Sequence, residues 1–140
     1  MLPAETRALL EKVGFDVPAD IRLEIGSRKA RLFSRIINVF DAPPLAFALG
    51  STIYVPDAEK YRRLSSETRA ALLAHECEHV HQWRRLGRVG FSIRYLREYF
   101  RVRRDGIATH DPAQGIDLER EAITVEQQVR VALQNQRQAV

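Results

Sequence analysis

The spacing of apolar residues in the first forty residues of the chain predicts helix, strand and helix in that order. Apolar residues from Leu2 to Val13 share one helical face, and Gly14 ends the pattern. Apolar and charged residues then alternate from Ile21 to Ile25, which is the period of a strand. The basic, partly apolar segment from Ser27 to Phe40 returns to helical spacing.

The middle of the chain predicts a β-hairpin. Apolar residues alternate between Leu45 and Val55 on both sides of Gly50 and Ser51, which form a plausible tight turn. Two prolines before it break the preceding helix. The polar residues from Asp57 to Leu64 predict a loop with a helical turn.

A long amphipathic helix follows the hairpin, capped by Ser65 or Ser66 and ended by Gly87. The only cysteine, Cys77, belongs to an apolar stripe on this helix, and we expect it to fill the core. The stripe consists of Ala70, Leu73, Cys77 and Val80.

Two more helices are predicted after Gly87. The segment from Phe91 to Arg104 carries an apolar, mostly aromatic stripe that should face the core and an arginine stripe that should face solvent. The arginines also fit contacts with nucleic acid or attraction to anionic lipid. A loop from Asp105 to Gly115 follows, and Asp117 is expected to cap a last helix that runs to about Gln136. These elements predict an α+β fold with a small sheet beside helices, in a single domain spanning residues 1–140.

Composition restricts the class of protein. The 140 residues are 45% hydrophobic and 29% charged, which is ordinary for a globular domain, and the net charge of +4 is mild. The N-terminus lacks the basic and apolar regions of a signal peptide, so a cytoplasmic location is expected. No apolar run is long enough to span a bilayer, although weak contact with a membrane surface stays open. We expect no nucleic-acid partner, since no DNA- or RNA-binding motif is present.

The long helix carries the pattern His-Glu-x-x-His at His75, Glu76 and His79. Residues four apart lie on one helical face, so the two imidazoles can point at one metal ion. Zinc favours imidazole nitrogen, and a catalytic zinc site has three protein ligands and an open position for water. Glu76 can reach that water and take its proton. The pattern therefore predicts a zinc-dependent hydrolase.

A third ligand determines the class of zinc site. The residues three and six positions after His79 are not the glycine and histidine of a metzincin, which excludes that class. His81 lies on another face of the helix, and His110 lies in the predicted loop. Glu119 and Glu121 open the last helix on different faces, so at most one is expected to bind metal. This segment is the best candidate for the third ligand, but on the residues alone surface charge near a helix N-terminus is the favoured explanation of both glutamates.

A family resemblance distinguishes between the two glutamates as zinc ligands. His-Glu-x-x-His followed by Glu-x-x-Ala at Glu119 and Ala122 resembles the gluzincin metallopeptidases. The resemblance implies that Glu119 is the third zinc ligand, that Ala122 lets the two helices approach, and that Glu121 is the reserve ligand. It also implies a zincin-like fold in which the active-site helix packs beside a small sheet.

The segment from Leu73 to Gln82 gives a closer local match. It is similar to the Ala-His-Glu-x-x-His-Val-x-Gln pattern of a bacterial family of metallopeptidase-like domains, found in contractile-injection-system effectors and toxins. The size is similar to that of the minigluzincins, and the resemblance covers about residues 50–129. Ile123 stands where gluzincins often have an Asp or Asn that orients a histidine ligand, so that contact must come from elsewhere.

These observations predict a zinc metallopeptidase acting on a peptide or protein, with Zn²⁺ held by His75, His79 and Glu119 and with Glu76 as general base. The strand from Thr52 to Val55 is expected to form the cleft rim, where a substrate could pair with its free edge. The candidate oxyanion donors are His110, Tyr95 and Tyr99.

Three alternatives stay open at the level of the sequence. The chain could be a zinc-binding docking or structural module of a larger bacterial effector or secretion system, without hydrolysis. It could be a protease associated with nucleic acid through its arginine stripe, or a latent enzyme whose cleft is plugged by a neighbouring segment. Oligomeric state and cleavage preference are not given by the sequence.

Overall fold

The computed structural model describes residues 1–37, 44–105 and 115–139. These residues form a mixed α+β fold in which helices dominate and a three-stranded sheet is the smaller part, as the sequence predicted. The elements are α1 (Ala4–Lys12), β1 (Arg22–Ile25), α2 (Arg28–Ile37), β2 (Phe47–Leu49), β3 (Thr52–Val55), α3 (Ala58–Arg63), α4 (Ser66–Arg104) and α5 (Asp117–Gln138). Within the described residues, no helix is both long enough and apolar enough to cross a bilayer.

The sheet has the strand order β1-β3-β2. The predicted hairpin is confirmed, since β2 pairs antiparallel with β3 and places Phe47 opposite Tyr54. Its turn uses Gly50 at φ +62°, a conformation that glycine adopts without steric cost. The other side of β3 pairs in parallel with β1. The expectation that Thr52–Val55 has a free edge is therefore wrong, because β3 is the central strand and β2 is an edge strand.

The main hydrophobic core lies between the sheet, α1 and the first part of α4. The stripe predicted on α4 is confirmed, as Leu73 and Cys77 are completely buried together with Ala70 and Val80. Burial also raises the pKa of the Cys77 thiol to about 12, so this cysteine is an inert core residue. Ile53 and Val55 point into the same core from the central strand.

Helix α4 consists of two parts that meet at Gly87. Its start is capped by Ser65, whose hydroxyl oxygen accepts a hydrogen bond from the backbone N–H of Thr68 at 3.1 Å. Gly87 has φ +71°, so the helix breaks there as predicted, but it resumes at once. We call residues 66–86 the motif half and residues 88–104 the arginine half. The arginine half anchors a second apolar cluster, formed with Ile116 and Leu118.

The start of α5 is fixed by the arginine half. The sequence placed Asp117 as the cap, but Asp117 is the first helical residue, and Ile116 before it provides no side-chain cap. The backbone N–H of Asp117 instead donates a 2.8 Å hydrogen bond to the carboxylate of Glu98, which is 9% exposed. At Gly115, a Cβ atom would lie 2.6 Å from Cγ2 of Val102, so the chain crosses α4 too closely for any larger residue.

Two other expectations need correction or lie outside the described residues. The segment predicted as a loop with a helical turn contains the six-residue helix α3, whose cap Asp57 accepts hydrogen bonds from the N–H groups of Glu59 and Lys60. The predictions for residues 38–43 and for the loop at 106–114, which includes His110, fall outside the residues that the structure describes.

Candidate metal centre

Helices α4 and α5 pack along each other and bring three predicted ligands together. His75 and His79 project from one face of the motif half, and their Nε2 atoms lie 3.2 Å apart. Glu119 comes from the first turn of α5, and its Oε2 atom lies 3.5 Å from His75 Nε2 and 3.4 Å from His79 Nε2. The three residues therefore converge on one point, although their role as metal ligands stays a prediction.

The triangle formed by these three atoms fits a zinc ion. Ligands about 2.0–2.1 Å from a tetrahedrally coordinated zinc ion lie about 3.3 Å from one another. The observed edges of 3.2, 3.4 and 3.5 Å match that spacing. Two imidazoles and one carboxylate are also a donor set that zinc prefers, and three ligands leave the fourth position open.

The ring of His79 is held by Gln82, which is completely buried. The amide nitrogen of Gln82 donates to the carbonyl oxygen of Leu118 at 2.9 Å and to Oε2 of Glu121 at 3.0 Å. Its amide oxygen must therefore face His79, whose Nδ1–H donates to it at 2.8 Å. This tautomer leaves the lone pair of Nε2 directed at the point where the three ligands meet.

A second carboxylate lies beside the ring of His75. Oε2 of Glu126 lies 3.3 Å from His75 Nδ1, an ion-pair contact in which the N–H is not aligned for a hydrogen bond, and Arg130 in turn holds Glu126 with a hydrogen bond of 2.8 Å. Glu126 follows Glu119 by seven residues, which places both carboxylates on one face of α5. Among the described residues, Glu126 rather than residue 123 is therefore the carboxylate that pairs with this nitrogen.

The charges of the site favour a cation between the rings. Burial alone would lower the pKa of His75, but the carboxylates of Glu119 and Glu126 raise it to about 10. Burial alone would also lower the pKa of His79, but the carboxylate of Glu119 raises it above its usual value. Burial would raise the pKa of Glu119, but both imidazoles hold it well below its usual range. Without metal, protons on the rings balance this negative charge, and a divalent cation can replace them.

Glu76 lies beside the centre without a partner for one of its oxygens. It is 4% exposed, and within the described part of the chain its buried Oε2 atom has no hydrogen bond. Burial raises the pKa of Glu76, while the neighbouring histidines lower it less strongly. A carboxylate with a raised pKa is a better proton acceptor near neutral pH, which is what a general base requires.

The centre opens into an apolar cleft of about 290 Å³. One wall comes from β2 and the residues before it, and the other from Trp83, Phe91 and Tyr95 of α4. The rings of Trp83 and Phe91 stack at 4.4 Å across the break at Gly87. All three residues of β2 line the cleft, and successive side chains of a strand point to opposite faces, so the edge of β2 borders it.

Other sequence candidates lie elsewhere. Glu121 contacts Gln82 and Arg85 rather than the centre, and Nε2 of His81 lies 3.2 Å from the backbone oxygen of Asp16. Among the candidate oxyanion donors, Tyr95 lines the cleft, whereas Tyr99 is buried in the second apolar cluster.

The described centre thus combines three converging donors, two side chains that orient the rings, and a buried carboxylate beside an open apolar cleft. Such an arrangement can hold a divalent cation and place a proton acceptor next to it. No protein-family model matches the chain, and neither a curated protein nor a solved structure does.

Proposed function

We propose that the protein is a zinc-dependent metallopeptidase of the gluzincin type. The observation that carries the proposal is the tetrahedral spacing of the donor atoms of His75, His79 and Glu119, with the unpaired carboxylate of Glu76 beside them. Bound there, zinc would supply the Lewis acidity that makes water a nucleophile at neutral pH and polarises a peptide carbonyl.

The side chains of the site have separate tasks in this proposal. Glu76 takes the proton of the attacking water and passes it to the leaving amine. Its burial supports this task, because the raised pKa lets it hold the proton between the two steps. Gln82 and Glu126 keep the rings of the two histidines aligned, and Tyr95 is the candidate oxyanion donor that lines the cleft.

The proposed substrate is an extended segment of a peptide or protein. Its backbone would pair with the edge of β2, which replaces β3 in the role expected from the sequence. The stacked rings of Trp83 and Phe91 form an apolar wall that would exclude water from the reacting groups and accept an apolar side chain.

Metal analysis combined with cleavage of a peptide library tests the proposal. Wild-type protein should carry one zinc ion per chain and cleave peptides. Glu76→Gln should keep the metal and lose activity by about 10²- to 10⁴-fold, because only proton transfer is removed. His79→Ala and Glu119→Ala should lose the metal, whereas the control Glu59→Ala, at a side chain of α3 that is 73% exposed, should keep both metal and activity.

Three results would overturn the proposal. Wild-type protein without stoichiometric zinc would remove its basis. Full hydrolysis by Glu76→Gln would assign the chemistry to other groups. Zinc binding without any hydrolysis would instead favour a docking or structural module. The buried, unpaired Oε2 atom of Glu76 argues against such a module, because a purely structural zinc site needs no proton acceptor.

A further inference from the structure

The arginine half of α4 exposes a row of large apolar side chains on its outward face. Val89 is 71% exposed, Ile93 61%, Leu96 44% and Phe100 61%. Their spacing of four, three and four residues places them on one side of the helix. The side chains that pack inward, such as Phe91 and Val102, lie on the opposite side. We call these four exposed residues the outer stripe.

Arginines border the outer stripe. Residues 88–104 contain six arginines and a single acidic residue, Glu98. At 100° per residue, Arg97, Arg101 and Arg104 lie along one side of the stripe. Arg97 and Arg101 also line a groove of about 470 Å³, together with Ile93, Arg94 and the acidic residues Glu98 and Asp117.

Within the described residues, Arg104 pairs with Asp105 at 3.0 Å, whereas no ion pair neutralises the charges of Arg97 and Arg101. Glu98 is turned inward, where it accepts a 2.9 Å hydrogen bond from Arg94 and a 2.8 Å hydrogen bond from the backbone N–H of Asp117. In the part of the chain that the structure describes, no acidic side chain forms an ion pair with Arg97 or Arg101. The face therefore presents apolar surface and uncompensated positive charge together.

We propose that the outer stripe and its arginines bind the surface of an anionic lipid bilayer. The apolar side chains would enter the boundary between headgroups and acyl chains, and the arginines would contact lipid phosphates. Several large apolar side chains exposed together on one face of a folded protein commonly mark such an interaction site. The proposal does not depend on the metal centre or on peptide hydrolysis.

Other partners would complement either the apolar side chains or the positive charge of this surface, but not both. Nucleic acid would pair with the arginines but leave the outer stripe in water. A second copy of the chain would cover the stripe but bring two arginine borders together. The stripe also spans fewer than the three to four heptads that a coiled-coil partner requires. An anionic bilayer offers apolar surface and negative charge at once.

Sedimentation with lipid vesicles tests the proposal. Wild-type protein should partition at least about tenfold more strongly onto vesicles of phosphatidylcholine with about 30% phosphatidylglycerol than onto pure phosphatidylcholine, and salt should weaken the binding. The double variants Ile93→Asp/Phe100→Asp and Arg97→Glu/Arg101→Glu should each reduce partitioning by about tenfold or more.

Matched controls separate this face from general surface properties. Val131→Asp places a charge at an exposed apolar residue of α5, and Lys60→Glu/Arg62→Glu reverses two exposed charges on α3. Both should stay within about twofold of the wild type in partitioning. Thermal unfolding by circular dichroism checks folding, and the arginine variant tests the proposal by itself if the aspartates destabilise the helix.

Four results would overturn the proposal. The first is equal partitioning onto neutral and anionic vesicles, and the second is an equal loss of binding in the control variants. The third is a dimer in sedimentation velocity that Ile93→Asp/Phe100→Asp abolishes, which would assign the face to self-association. The fourth is duplex DNA binding that only the arginine variant abolishes, without any vesicle binding.

Discussion

At the scale of single residues, two side chains that are not ligands determine how the imidazoles of the centre point. Gln82 accepts a hydrogen bond from Nδ1 of His79, and Glu126 lies 3.3 Å from Nδ1 of His75, while the Nε2 atoms of both rings lie within 3.5 Å of Oε2 of Glu119. A zinc ion bound at this centre would therefore meet rings that are already oriented.

Replacing Glu126 tests this arrangement. Glu126→Gln should lower the zinc affinity by about tenfold, because the neutral amide is a weaker acceptor for His75 than the carboxylate. The side chain of Glu126 is 26% exposed, so thermal stability should change little. Competition with a chromogenic chelator measures the affinity. Glu59→Gln on α3, at a side chain that is 73% exposed, is the control, and equal affinities in both variants would contradict a positioning role for Glu126.

Zinc affinity should rise with pH. The pKa of His75 is about 10 in the metal-free site, so its ring is protonated at neutral pH and zinc must displace that proton. Glu119 has a lowered pKa, so it stays ionised and does not add to the pH dependence. Between about pH 6 and pH 8, the affinity should increase by at least about tenfold per pH unit. Chelator competition at several pH values measures this slope, and an affinity independent of pH would contradict it.

The sequence predicted the ligands more completely than the side chains that orient them. The spacing of His75 and His79 requires only that the segment be helical, and the family resemblance supplied Glu119. Gln82 was part of the matched pattern, but its role depends on the carbonyl oxygen of Leu118, which is distant in sequence. The sequence does contain a signal for Glu126, because it follows Glu119 by seven residues and therefore lies on the same face of the helix two turns later.

At the scale of elements, the first turn of α5 depends on the arginine half of α4. Glu98 accepts a hydrogen bond from the backbone N–H of Asp117, two residues before the proposed ligand Glu119, and Gly115 packs against Val102 just ahead of it. The position of the proposed third ligand is therefore set by a helix segment that contributes none of the proposed ligands.

Removing this contact should affect both stability and metal binding. Glu98→Ala should lower the free energy of unfolding by about 1–2 kcal/mol, because the helix loses its cap acceptor. Zinc affinity should fall as well, since the first turn of α5 would fray around Glu119. Urea unfolding and chelator competition measure the two effects. Arg94→Ala, which keeps the bond to Asp117, is the control, and an unchanged zinc affinity in Glu98→Ala would contradict the coupling.

Local patterns predicted the elements well but not how distant elements pair. Alternation around Gly50 was enough for the hairpin of β2 and β3. The parallel partner of β3 is β1, some thirty residues earlier, and no local signal indicates that pairing, so the edge strand was misassigned. The outer stripe was missed because the inward aromatic stripe already accounted for a helix in that segment.

At the scale of the whole molecule, the three proposed ligands belong to two helices that meet only in the folded chain. Metal binding should therefore stabilise the protein, because the unfolded chain has no assembled site. A free zinc concentration about 100 times the dissociation constant should add about 2.7 kcal/mol and raise the melting temperature by about 5–10 °C. Differential scanning calorimetry with and without a chelator measures the shift. Glu119→Ala is the control, and an equal shift in that variant would contradict binding at this centre.

The break at Gly87 fixes the rotation about the helix axis between the two parts of α4, each of which carries one of the proposed functions. The motif half carries the histidines and the arginine half carries the outer stripe, and one left-handed residue sets the rotation between them. Inserting or deleting a single residue after Gly87 would turn everything beyond it by about 100°. The stripe would then face sideways, and Glu98 would no longer meet α5. We therefore expect the arginine half to tolerate most substitutions far better than the insertion or deletion of a residue.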